Sequence, residues 1–173
     1  MKKEIAIRAA DEALLNVGVE EIGKDNHGPA IKKYLETIGL EEGYAWCAAF
    51  IKFRYMDAAK DLDEELSDSF LKLSGYTPDW KNYAQKNNIW IPLAVAKKNP
   101  SLIKKGYACF FYSETRGRIY HCGIVISSNK DGFISVEGNT SPGKGVEANG
   151  DGVYRKNRSW NSLGSGGGFM MTY

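Results

Sequence analysis

The residue with the clearest capacity for chemistry in this sequence is Cys47, one of three cysteines in a chain of 173 residues. It lies in the segment Gly43–Phe50, which reads GYAWCAAF, so a glycine precedes it and small apolar residues follow it. A thiol is a useful nucleophile only as the thiolate, and its pKa falls at a helix N-terminus or beside an imidazole. The alternative for a cysteine on an apolar helix is burial as an inert thiol. A suitably placed base would favour the chemical interpretation.

The second half of the sequence supplies such a base. His121 lies in the run YHCGIVI, and Glu137 begins the segment EGNT. If the strands that carry them form a hairpin, the midpoint of the two positions is Asn129, inside the predicted turn, so the two side chains stand opposite each other. Asn139 points to the same face if the strand continues. The pattern predicts a nucleophile, a base and a group that orients the base.

The elements that must position these residues are helices in the first half of the chain and strands in the second half. Apolar residues recur at helical spacing in the first half, and glycines end the stripes. We predict helices over residues 5–17, 29–38 and from about 44–46 to 60, and a short helix with Thr77 as its N-cap. The third of these helices carries Cys47 and is apolar enough to be central.

From Gly106 onward the sequence reads as short strands separated by turns. We predict strands over residues 107–112, 119–127, 133–136, 153–158 and 169–173, with a long turn-rich loop over residues 140–152. Helices followed by an antiparallel meander indicate the α+β class. The length and the lack of a linker predict a single domain over residues 1–173.

Composition excludes several classes of partner. The 23 Lys and Arg residues nearly balance the 21 Asp and Glu residues, and the charges do not gather into a run, so nothing predicts nucleic-acid binding. No stretch approaches the roughly 20 apolar residues of a membrane-spanning helix. Charged residues interrupt the first positions, which does not fit a signal peptide. We therefore expect a protein that is cytoplasmic at synthesis.

The order and spacing of these segments resemble the CHAP domains, which belong to the NlpC/P60-type, papain-like cysteine peptidases and occur in phage endolysins and related wall hydrolases. The likeness covers most of the chain. In the helical half it is carried by NHGP at residues 26–29, YL at 34–35 and GYAWCAAF at 43–50. In the strand half it is carried by His121 with GIV and by EGNT, while the match of VYR at residues 153–155 and of Arg158 is looser.

The resemblance implies a papain-like fold, with N-terminal helices packed on a C-terminal antiparallel sheet, and a cysteine hydrolase of amide bonds in bacterial peptidoglycan. It implies four site residues: Cys47 as nucleophile, His121 as base, Glu137 as the group that orients the base, and Asn139 as a supporting polar residue. Tyr44 and Trp46 are the candidate substrate or oxyanion residues beside the nucleophile. The reaction could be that of an N-acetylmuramoyl-L-alanine amidase or of a stem-peptide or cross-bridge endopeptidase, which these residues do not distinguish.

The cysteines could have two other uses. Cys47, Cys109, His121 and Cys122 could be four zinc ligands, but the short Cys-x-x-Cys spacing is missing, and adjacent strand residues face opposite ways. A disulfide between Cys109 and Cys122 is also possible, although buried free thiols are the default for a cytosolic product. Some CHAP domains carry a calcium loop ahead of the nucleophile, but here that stretch reads GLEEG. We predict no metal and no cofactor.

Two further functions stay open beside wall hydrolysis. The same site could act on a non-wall amide, as a deamidase, an acyl transferase or a delivered toxin. Alternatively, the fold could be a catalytically silent wall-binding module. Action on the wall would require lysis, a holin-type pore or a delivery system, and a toxin would imply an immunity protein.

Overall fold

The computed structural model describes residues 1–143, 145 and 150–173 of the chain. Across these residues the helices are α1 (Lys3–Leu15), α2 (Pro29–Glu36), α3 (Cys47–Asp61), α4 (Asp68–Leu71), α5 (Thr77–Lys86) and α6 (Leu93–Lys98). The strands are β1 (Trp90–Pro92), β2 (Ala108–Ser113), β3 (Arg118–Asn129), β4 (Gly132–Thr140), β5 (Gly152–Ser159) and β6 (Gly168–Met170). The predicted α+β class is confirmed. None of the described helices is both long and apolar enough to cross a membrane.

The six strands form one sheet in the order β1-β6-β2-β3-β4-β5, and every neighbouring pair is antiparallel. One face of the sheet packs against the helices in a core that contains Phe50, Tyr55 and Trp80. The opposite face carries a second apolar cluster that includes Phe111, Phe133 and Phe169. Alternation of side chains along each strand places neighbouring residues in different cores.

Helix α3 is the central helix, as its apolar sequence predicts. Its residues pack against α1 and α2 on one side and against β3 and β4 on the other. Phe50 and Ile51 are wholly buried. Because the helix is enclosed on several sides, its first residue is fixed relative to the middle of the sheet.

Several predicted boundaries differ from those observed. The expectation that Thr77 is an N-cap is wrong: Tyr76 is the N-cap residue, and Thr77 begins α5 and donates from its hydroxyl to the Ile119 carbonyl at 3.0 Å. Strand β4 continues to Thr140, beyond the predicted end at residue 136. The short elements β1, α4 and α6 were not predicted from the sequence. Within the predicted loop 140–152, residues 144 and 146–149 lie outside the described residues.

The close approach of α3 and β4 depends on Gly138. A Cβ at this position would lie 2.6 Å from Cζ3 of Trp46 and 2.8 Å from Cβ of Phe50. Both neighbours are wholly buried in the main core. Since a packed core relaxes little, the helix start and the strand can be adjacent only because this residue lacks a side chain.

We expect Gly138→Ala to lower the free energy of unfolding by roughly 1–3 kcal/mol, because the added methyl group overpacks the contact with α3. Equilibrium denaturant unfolding measures this change. Gly143→Ala is the control, since a Cβ there would meet no heavy atom of the described residues within 4 Å. Equal stability of the two variants would contradict the proposed role of Gly138.

Candidate active site

The first residue of α3 is Cys47, which sits where backbone N–H groups are not used by the helix itself. The preceding residue, Trp46, is wholly buried, and its indole Nε1 donates to Oε1 of Glu21 at 2.8 Å. The residue just before Cys47 is therefore anchored to the N-terminal part of the chain. The helix start also brings the partial positive charge that favours a thiolate.

Strand β3 carries His121, whose Nε2 lies 2.9 Å from Oε2 of Glu137 on β4. Both side chains are completely buried. The other ring nitrogen, Nδ1, makes no hydrogen bond of standard geometry with the described residues. It is therefore the nitrogen that remains for the sulfur of Cys47, with which the ring interacts.

The register of the β3–β4 hairpin differs from the one predicted. Asn129 pairs with Gly132, and a bulge between Val125 and Ser127 shifts the ladder, which starts at Ile124 opposite Val136. The expectation that His121 and Glu137 lie directly opposite each other is therefore wrong. Continuing the ladder sets residue 123 opposite residue 137, two positions away from the histidine.

Gly123 explains how the two side chains nevertheless meet. A Cβ on this residue would lie 2.6 Å from Cγ of Glu137 and 2.9 Å from the Val136 carbonyl oxygen. The carboxylate side chain thus occupies the space above the glycine and reaches diagonally to His121, which lies on the same side of β3. A glycine two residues after a candidate histidine was the sequence signal for this geometry.

Two residues that the sequence reading did not place in the site complete the environment of Glu137. Ser135 Oγ donates to Oε1 at 2.6 Å. Arg158 on β5 donates from Nε to Oε1 at 2.8 Å and from Nη2 to Oε2 at 2.5 Å. The alternation of Ser135 and Glu137 along β4 could have suggested the first contact. The second depends on the pairing of β5 with β4, which carries no local signal.

The pKa values of these groups favour charged forms. The pKa of Cys47 lies well below its ordinary value, because the interactions of its sulfur with Cys122 and with the His121 ring outweigh burial. Burial acts to lower the pKa of His121, but its interactions with Cys47 and Glu137 raise it to about 9. Burial acts to raise the pKa of Glu137, but hydrogen bonds from Arg158 and His121 lower it to about 2. The arrangement therefore supports a thiolate beside an imidazolium at neutral pH.

Asn139 lies in a different environment from the one expected. A register irregularity follows Glu137 in the β4–β5 ladder, and Asn139 has a positive φ of 56°, so the strand does not continue regularly. Its Nδ2 donates to Oδ1 of Asn26 at 2.9 Å and to the Gly150 carbonyl at 3.2 Å, and lies 3.4 Å from Oε1 of Glu21. These contacts join Asn139 to the residues that anchor Trp46 and not to the His121 ring.

The two candidate substrate or oxyanion residues differ in exposure. The Trp46 ring is buried, whereas Tyr44 is 57% exposed. Tyr44 lines an open cavity of about 380 Å³ together with Ala45, Tyr76 and apolar side chains of the segment after α2. Cys47 itself is only 4% exposed. The cavity thus reaches within two residues of Cys47, whose side chain is nearly closed off from solvent.

All three cysteines are free thiols. Cys109 pairs in register with Gly123, and its side chain packs in the second cluster, while Cys122 packs in the main core. The sheet thus separates the two sulfurs that the disulfide alternative would join. Among the described residues, no group of three or more His, Cys, Asp or Glu side chains is arranged to hold a metal ion.

Comparisons with protein-family models, with curated proteins and with solved structures found no match to this chain.

We expect Cys47 to react with iodoacetamide at pH 7 at least about tenfold faster than it does in His121→Gln, because loss of the imidazolium raises the thiol pKa by one unit or more. Mass spectrometry of the labelled peptides separates Cys47 from Cys109 and Cys122. Burial raises the pKa of both other thiols well above the ordinary value, so they serve as internal controls. Equal labelling rates at Cys47 in the two proteins would refute an activated pair.

Proposed function

We propose that this protein is a papain-like cysteine hydrolase that cleaves an amide bond of bacterial peptidoglycan. The observation that supports the chemistry is the interaction of Cys47, at the start of α3, with a buried imidazole that Glu137 orients at 2.9 Å. A nucleophile, a base and a group that fixes the base are the parts that acyl transfer through a thioester requires. The peptidoglycan substrate is proposed from the resemblance of the sequence to CHAP domains.

In the proposed reaction the Cys47 thiolate attacks the carbonyl carbon of the amide, and the carbonyl oxygen takes the electron pair. Backbone N–H groups at the start of α3 hold this oxyanion. The imidazolium of His121 then gives its proton to the leaving amine, and the C–N bond breaks to leave a thioester. A water molecule, deprotonated by His121, attacks the thioester, releases the carboxylic acid and restores the thiolate–imidazolium pair.

Access to the sulfur is part of the proposal. Because Cys47 is nearly enclosed, the open cavity beside Tyr44 and Ala45 is the proposed approach for the substrate chain. The exposed rings of Tyr44 and Tyr76 offer apolar faces with polar tips, which suit a glycan or peptide ligand. A wall substrate lies outside the cytoplasmic membrane, so the proposal includes release by lysis, a holin-type pore or a delivery system.

We expect the wild-type protein to release new amino groups from purified peptidoglycan and Cys47→Ala to release none, because only the thiolate can form the acyl intermediate. Mass spectrometry of the products identifies the bond. Release of the stem peptide from muramic acid indicates an amidase, and cleavage within the stem or cross-bridge indicates an endopeptidase. Cys109→Ala, which removes a different buried thiol, is the control and should retain activity. If iodoacetamide labels Cys47 in the wild-type protein but the protein does not cleave peptidoglycan, the proposed substrate is wrong and a non-wall amide is favoured.

We expect the rate of hydrolysis to fall as the pH rises through about 9. The raised pKa of His121 sets this limb, since the imidazolium must keep its proton in order to protonate the leaving amine. The acidic limb reflects protonation of the Cys47 thiolate, and it should lie far below pH 9 because the pKa of this thiol is lowered. A pH series of initial rates measures both limbs. An alkaline limb near pH 6.5 would contradict the raised pKa of His121.

A further inference from the structure

We propose that Arg158 is a positioning residue of this site, which fixes the carboxylate of Glu137 and, through it, the ring of His121. The inference rests on the proposed function for the reaction that the site performs. It does not depend on which amide bond is the substrate.

The contacts around Glu137 leave its carboxylate no freedom to rotate. Oε1 accepts from Ser135 Oγ at 2.6 Å and from Arg158 Nε at 2.8 Å. Oε2 accepts from Arg158 Nη2 at 2.5 Å and lies 2.9 Å from His121 Nε2. The planar guanidinium thus holds both oxygens at once, in the bidentate geometry that adds direction to the charge attraction. The plane of the carboxylate decides where its bond to the imidazole points.

Arg158 is itself held in place. On β5, Arg158 pairs in register with Phe133 of β4, and its side chain is buried. The guanidinium carbon lies 5.2 Å from the centre of the Phe111 ring, and Nη1 donates to the Gly145 carbonyl at 2.7 Å. A side chain fixed at several points can transmit a defined orientation to its partner.

Arg158 also balances the charge that faces the imidazole. Among the described residues, the other titratable groups that interact with Glu137 or Arg158 are Cys109 on β2 and Tyr120 and Cys122 on β3. Burial raises the pKa of each of these groups, so they are neutral near pH 7. The carboxylate therefore acts on His121 with its negative charge partly offset by the guanidinium. Without that offset, the imidazolium would hold its proton more tightly and would be a weaker acid toward the leaving amine.

Two substitutions separate geometry from charge. Arg158→Lys keeps a positive charge, but an ammonium group cannot hold both carboxylate oxygens in the plane of a guanidinium fork. Arg158→Met removes the charge and keeps a long side chain. Arg155→Lys and Arg155→Met are the matched controls, since Arg155 lies three residues earlier on β5 with its side chain exposed.

The first measurement needs no substrate. The chain has two histidines, so ¹⁵N NMR can distinguish the ring signals of His121 from those of His27 and follow the titration of His121. We expect Arg158→Met to raise the pKa of His121 by about one unit or more, the size of effect that a neighbouring charge produces. We expect Arg158→Lys and both Arg155 variants to leave it close to the wild-type value.

The second measurement is kcat on the peptidoglycan bond cleaved by the wild type. We expect Arg158→Lys to lower kcat on the order of 10-fold to 100-fold with KM nearly unchanged, since a misplaced ring affects the reaction and not substrate binding. A purely structural role would lower the melting temperature of Arg158→Lys but leave kcat unchanged, and that result would overturn the inference. If Arg158→Met does not fold, the kcat of Arg158→Lys decides.

The failure of this inference differs from failure of the proposed function. If wild-type His121 titrates near 6.5 and Cys47 is unreactive, the assignment of Cys47 and His121 as an active site is wrong. If wild-type His121 titrates near 9 and both Arg158 variants match the wild type in His121 pKa and kcat, the site stands and Arg158 has no positioning role.

Discussion

The candidate site is built around a carboxylate that is wholly removed from water, the side chain of Glu137. Desolvation of the Glu137 side chain would favour its neutral form, yet the pKa is lowered to about 2 because Arg158 and His121 face it at hydrogen-bonding distance. A buried charge is tolerated only when it is paired and its lone pairs are filled. This requirement ties three strands together, since the participants come from β3, β4 and β5. An ionised Glu137 also helps to raise the pKa of the His121 ring, which interacts with Cys47.

The sheet accommodates this cluster by losing its regular pairing. The β3–β4 ladder starts only at Ile124 and Val136, so the strands are not paired at the level of His121 and Glu137. The start of α3 approaches the same region, where Gly138 lets the Trp46 and Phe50 rings come close. Two glycines thus define the site sterically: Gly123 makes room for the carboxylate side chain, and Gly138 makes room for the helix that carries the thiol.

Two separate polar networks flank Cys47. On the strand side, Ser135 and Arg158 donate to Glu137, whose carboxylate contacts the His121 ring. On the helix side, Glu21 accepts from the Trp46 indole and from the backbone N–H of Asn26. Asn139 belongs to this second network, and so it supports the segment before Cys47 and not the imidazole. Because Glu137 and Asn139 are only two residues apart, β4 connects the two networks directly.

The sequence by itself determined the α+β class and the helix that carries Cys47, because helical and strand periodicities are local. It also determined the candidate residues, because a cysteine, a histidine and a carboxylate can be recognised from residue types alone. It could not determine the register at Glu137, since that register depends on the position of the turn between Asn129 and Gly132 and on a bulge between Val125 and Ser127. It also could not identify Arg158 as the partner of the carboxylate, or assign Asn139 to the Trp46 side. Those outcomes depend on which strands become neighbours and on which residue of opposite charge pairs with the buried carboxylate. Only the tertiary structure decides both.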